Sequence, residues 1–176
     1  MTGSRAPDAP IFLVGFMGAG KTTVGQALAA RLNWAFADTD ALVEQAEGRS
    51  IEEIFSASGE GRFRELEWLA LRTLTGRREL VVATGGGLFL GVVQRAFVRS
   101  SGISCWLDVP LGVVVRRLGD AATRPLWMKD DALLRRAFFE KRRAAYALAD
   151  FRVDGNEGGA DDLARDVDAA RHAFWR

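Results

Sequence analysis

Cysteine is nearly absent: Cys105 stands alone, so no disulfide can form within the chain, which suits a reducing compartment. Its setting, "ISCWLDV", reads as the interior of a buried strand. Histidine is equally scarce. His172 is the only one and lies near the C-terminus, which argues against imidazole catalysis or a His-rich metal centre. No apolar run approaches the ~20 residues that a membrane helix needs. The opening "MTGSRAPDAP" has no apolar stretch of the kind found in secretion signals, so residues 1–10 are expected to be a disordered lead-in. A cytoplasmic location is expected on these grounds. Excess charge is missing too: 24 Lys and Arg face 23 Asp and Glu, a net +1. That leaves no overall drive toward nucleic acid, and neither nucleic acid nor membrane is expected as a partner.

Against these absences stands "GFMGAGKTT", residues 15–23, directly behind the apolar run "IFLVGF". Gly15, Gly20, Lys21 and Thr22 satisfy the pattern G-x-x-x-x-G-K-[ST]. Glycines let successive backbone N–H groups turn inward around an anion, and the following helix adds its positive end. Lys21 is placed to reach the β- and γ-phosphates, and the Thr22 hydroxyl to ligate Mg²⁺. The motif identifies nucleotide and magnesium. It does not separate a kinase from a GTPase or a motor, although no N-K-x-D guanine-reading motif occurs.

Apolar runs at 11–16, 35–39, 80–84, 103–109 and 151–154 read as buried parallel strands. Helical patterns separate them, over 21–33, 60–75, 91–100, 110–118, 131–148 and 160–173. On the 60–75 helix, Phe63, Leu66, Leu69, Ala70 and Leu74 are expected on one buried face. "SIEE", 50–53, matches a capping box with Ser50 as N-cap and Glu53 reaching back. Such alternation predicts one three-layer α/β domain over 11–176. One irregular segment, 118–130, lies between two helices and reads as a mobile lid. It belongs to a basic stretch, 116–143, with nine Lys and Arg against four Asp and Glu.

Three further motifs concern the phosphate acceptor. "DTD", 38–40, sits at the carboxyl end of the second strand, where open α/β sheets bind ligands. One carboxylate suits the magnesium shell and the other an acceptor hydroxyl, unless Asp40 merely caps the next helix. In "FRELE", 63–67, Arg64 and Glu67 share a helix face and could simply pair with each other. "TGGG", 84–87, suits a place where backbone and ligand come close.

In order and spacing, GFMGAGKTT, DTD, FRELE, GGG, the "RPL" of the lid and "RRAAY" resemble the shikimate kinase family, from Ile11 to about Asn156. The resemblance implies a P-loop kinase fold of nucleoside-monophosphate-kinase type, with five parallel strands in the order 2-3-1-4-5. It implies transfer of the ATP γ-phosphoryl to the 3-hydroxyl of shikimate, on the route to aromatic amino acids, by what is expected to be a monomer. Lys21, Asp40 and Arg124 would be catalytic. Gly18, Ala19, Gly20, Lys21, Thr22, Thr23, Arg117 and Arg124 would hold ATP, and Thr22 with Asp38 (through water) one Mg²⁺. Asp40, Arg64, Glu67, Gly85, Gly86, Gly87 and Arg142 would hold shikimate, the two arginines gripping its carboxylate.

Two departures from the family pattern stand out. The loop after the last strand reads "DGNEGGADD", without the arginine often found near adenine, which leaves nucleobase specificity open. Trp127 follows "RPL" where a smaller aliphatic residue is common. A gluconate kinase would share the phosphate loop, and a non-catalytic sensing module the overall pattern; the full motif set argues against both.

Overall fold

The computed structural model describes residues 6–119, 132–156 and 158–175. Most of the expected lid, with Arg124 and Trp127, lies outside the described residues.

Five parallel strands form one sheet in the order β2-β3-β1-β4-β5, the order the resemblance implies. They are β1 (Ile11–Val14), β2 (Ala35–Asp38), β3 (Leu80–Ala83), β4 (Ile103–Asp108) and β5 (Phe151–Asp154). β1 is central, with Ile11 in register with Val81 on one side and Ile103 on the other. Helices cover both faces, which is why β1, β3 and β4 are buried throughout and carry unbroken apolar runs.

The helices are α1 (Lys21–Leu32), α2 (Thr39–Glu47), α3 (Ile51–Arg72), α4 (Val92–Ser101), α5 (Leu111–Leu118), α6 (Ala132–Tyr146) and α7 (Ala160–Phe174). The Ser50 cap of α3 is present in full, its N–H donating to Glu53 Oε2 at 2.7 Å and its Oγ accepting from Glu53 N at 3.2 Å. Gly59, whose φ of 74° and ψ of 177° are not helical, divides α3 into two helices that meet at a kink, and the second half is the separate helix expected from residue 60. Leu69, expected on the buried face, is 51% exposed. Steps of 100° per residue carry it off the stripe made by Phe63, Leu66, Ala70 and Leu74, all of which are buried. A 3-10 turn, Leu88–Leu90, follows the triglycine and was not expected.

The described part of the lead-in is also a correction. Ala9 and Pro10 are buried, and Glu79 N–H donates to Asp8 O at 2.8 Å. Asp8 pairs with Arg78, and Arg171 on α7 donates to Pro7 O at 3.1 Å. These partners fix residues 7–10 against the start of β3 and α7, where a disordered lead-in was expected.

Candidate active site

β1 ends at Val14 and the chain turns into α1 at the carboxyl edge of the sheet. Gly15 makes the turn with φ 145°, and a Cβ there would stand 2.8 Å from Leu107 O on β4. Only glycine passes so close. Gly18 and the N-cap Gly20 also have positive φ, at 75° and 89°, so the loop curls back over the start of α1. Ala19 is buried beneath it and Thr23 is exposed in the first helical turn. The Lys21 side chain lies along the loop, Nζ donating to Gly15 O at 3.0 Å and Phe16 O at 2.8 Å.

Thr22 Oγ1 donates to Asp38 Oδ2 at 2.7 Å, so α1 and the end of β2 meet at one hydroxyl and one carboxylate. The other Asp38 oxygen accepts from Asp40 N–H at 2.9 Å and thereby caps α2. Asp38, then, is the helix cap, and the role of Asp40 as a mere cap falls away. Among the described residues no cluster of three or more acidic, Cys or His side chains could chelate a metal. A hydroxyl and a carboxylate side by side fit Mg²⁺, which keeps most of its water and takes few protein oxygens beside phosphates.

Beside this pair opens a cavity of about 470 Å³. Thr22, Asp38, Asp40, Arg64, Glu67, Arg142 and all three glycines of 85–87 line it. Arg64, on the second half of α3, pairs with Glu67 Oε2 and Glu60 Oε1, both at 2.8 Å. The intrahelical pairing considered from sequence is therefore real, and it fixes the guanidinium at the cavity wall. Arg142, on α6, is buried with its guanidinium carbon 4.0 Å from the Phe138 ring centre. Burial pulls the Arg142 pKa below its ordinary value, and the nearby Arg64 charge adds to that. A bound carboxylate would relieve both costs.

The acidic side is tuned oppositely. Burial pushes the Glu67 carboxyl up to about 7; Arg64 pulls it down, and Asp40 pushes it up again. Its Oε1 is buried and has no hydrogen-bond partner among the described residues. None of Gly85, Gly86 and Gly87 has positive φ, so space and not backbone angle selects glycine there. A Cβ on Gly85 would meet Glu67 Oε1 at 2.1 Å and Asp40 Oδ1 at 2.6 Å. One on Gly87 would meet both Arg64 terminal nitrogens at 2.3 Å. Gly85 and Gly87 thus make room for side chains of the site, a Cβ on Gly86 would meet Met17 N at 3.2 Å, and all three glycines line the cavity.

The model of the family described as shikimate kinase matches residues 17–169. A shikimate kinase of Synechococcus elongatus is 44% identical over 144 residues, covering 81% of this chain and 75% of that protein. The chain belongs to the shikimate kinase family. A relative from a Sulfurihydrogenibium species is 39% identical over 157 residues, 89% of this chain and 94% of its own. Among solved structures, shikimate kinase from Acinetobacter baumannii in complex with shikimate superposes with a TM-score of 0.89. It is 36% identical and covers 94% of this chain and 93% of the other. A gluconokinase from Sinorhizobium meliloti shares the fold alone, with a TM-score of 0.60 at 18% identity.

For a shikimate kinase, the structure brings together every described residue expected in the acceptor site. Arg117 stands apart from them at the end of α5, its NH1 donating to Ala19 O at 3.2 Å behind the phosphate loop. Sequence reasoning missed Thr39 and Tyr146, both fully buried beside the triglycine. A signal existed for the second: a lone tyrosine inside a core needs a partner for its hydroxyl.

Proposed function

We propose that the cavity binds shikimate between Arg64 and Arg142 at one end and Asp40 at the other, next to ATP on the phosphate loop. The reaction is transfer of the ATP γ-phosphoryl to the 3-hydroxyl of shikimate, the activity of the family. The observation that carries the assignment of residues is the lining of one cavity by Arg64 and Arg142, by carboxyls that include Asp40 and Glu67, and by the triglycine loop. Shikimate has a carboxylate at one end and hydroxyls at the other. A guanidinium matches the first and an acceptor-only carboxylate the second.

In this reading the N–H groups around Gly18, Ala19 and Gly20, and the first turn of α1 with Thr22 and Thr23, receive the phosphates. Lys21 leaves the loop carbonyls it now holds and neutralises charge on the transferring group. Thr22 and Asp38 hold Mg²⁺, which when bound neutralises phosphate charge. Asp40 orients the acceptor hydroxyl and takes its proton as the oxygen bonds to phosphorus; the bond from the γ-phosphorus to the bridging oxygen breaks, and its electrons leave with ADP. Little covalent work is asked of the protein, because phosphoryl transfer depends mainly on positioning and charge. Arg117 lies against the nucleotide, and Arg124 closes on the phosphates.

The test is a coupled ADP-release assay on the purified chain with shikimate, quinate, gluconate or no acceptor. Release dependent on shikimate is expected. Release with gluconate and none with shikimate would overturn the reading.

A further inference from the structure

The 3-10 turn ties Gly85 O to Leu88 N–H and Gly87 O to Leu90 N–H, both at 3.1 Å, but leaves Gly85 N–H and Gly86 O to other partners. The triglycine has no side chains, and at Gly85 and Gly87 the volume they would fill is taken by Asp40, Glu67 and Arg64. Glycine also loses more backbone freedom on ordering than any other residue, so three in succession need outside restraint. Two buried hydroxyls supply it. Gly85 N–H donates to Thr39 Oγ1 at 2.8 Å, from the turn between the two carboxylates of "DTD". Tyr146 Oη donates to Gly86 O, and Arg142 NH1 donates to the same carbonyl at 3.3 Å. Neither Thr39 nor Tyr146 lines the cavity.

Resting on the reading of this cavity as the shikimate site, we propose that Thr39 and Tyr146 are positioning residues for the acceptor. Together they clamp the loop from opposite sides, so that its backbone, Arg142 and Asp40 hold the spacing shikimate requires. Thr39 links the loop to the strand end that carries Asp38 and Asp40. Tyr146 links it to the helix that carries Arg142, one turn before. The Tyr146 hydroxyl is suited to a constant clamp, since burial pushes its pKa up to about 12 and it stays a donor through the neutral range. Without Thr39 Oγ1, the buried Gly85 N–H would be left without this acceptor. Without the tyrosine hydroxyl, the Gly86 carbonyl would keep the 3.3 Å bond from Arg142 but lose its tie to α6 through Tyr146, and so would position Arg142 less firmly.

Steady-state kinetics of the wild type, Thr39→Val, Thr39→Ser and Tyr146→Phe test this. Losing one buried hydrogen bond should raise the KM for shikimate roughly tenfold in Thr39→Val and Tyr146→Phe, with the KM for ATP within about twofold. Thr39→Ser keeps the hydroxyl and should behave as wild type. An unchanged KM for shikimate in Thr39→Val and Tyr146→Phe would overturn the proposal. So would a serine variant as impaired as the valine one, or KM values rising together for both substrates. Should Thr39→Val not fold, Tyr146→Phe, which preserves the ring's packing, decides by the same criteria. A wild type inactive on shikimate sinks the site assignment itself; an active wild type matched by its variants sinks only the clamp.

Discussion

Asp38, and not Asp40, caps α2 and meets Thr22, which is consistent with the proposed role of Asp40 toward substrate. Replacing Asp40 with Asn keeps the shape but removes charge and basicity, and general-base help is typically worth about 10²–10⁴-fold. Asp40→Asn should lower kcat by roughly 10²-fold, the low end, because the loose transition state needs little early proton transfer. ATP binding, followed by fluorescence titration, should be unaffected. A kcat within about threefold of wild type would reduce Asp40 to a positioning role. The arginines should behave otherwise. A hydrogen bond to a charged group contributes about 1.5–3 kcal/mol, so Arg64→Ala or Arg142→Ala should raise the KM for shikimate roughly 10- to 100-fold. Their effects should not add if, as proposed, both hold one carboxylate. Either variant showing weak ATP binding with normal shikimate affinity would refute the assignment.

The loop from β3 into the 3-10 turn is where element and site meet. In Gly87→Ala the new methyl would displace the Arg64 guanidinium, the far end of a flexible side chain, and leave backbone packing alone. The variant should melt within a few degrees of wild type yet lose shikimate affinity about as much as Arg64→Ala. A variant that unfolds while keeping its KM would show that residue 87 serves the core. Elements of this kind mark the limits of reading a sequence. β1, β3 and β4 were legible because burial on both faces leaves unbroken apolar runs, and the Ser50 box because it is local. So was the break at Gly59 between the two halves of α3, since glycine is a poor helix former. The charged residues of the site were legible by motif. The two hydroxyls that clamp the loop were not, because their partners lie 46 and 60 positions away in the chain.

Across the whole molecule, the two ends of the chain are joined to α1 through Asp168. Its carboxylate accepts from Arg171 on α7 and Arg31 on α1, both at 3.0 Å, while Arg171 also holds Pro7 O. Burial raises the Asp168 pKa, but the hydrogen bonds from Arg171 and Arg31 outweigh it and hold the carboxyl below its ordinary value. A depressed carboxyl stabilises the fold above its unfolded pKa, and that contribution fades as pH falls below about 4. Asp168→Ala strands buried Arg171, which should cost roughly 2–4 kcal/mol at pH 7. The gap in stability between wild type and variant, followed by urea unfolding, should narrow toward pH 3. A gap independent of pH would show that packing alone is lost. Activity of the folded variant should be unchanged, because the acceptor cavity lies at the carboxyl ends of the strands, lined by none of these residues. In the proposed site there, Arg64 and Arg142 hold the carboxylate of shikimate, and Asp40 faces the hydroxyl on carbon 3 that receives the phosphoryl group. Proton–phosphorus NMR of the product made from ATP and shikimate tests it most directly. A single product with its phosphorus coupled to the proton on carbon 3 is expected; coupling at carbon 4 or 5, a mixture, or inorganic phosphate alone would contradict it.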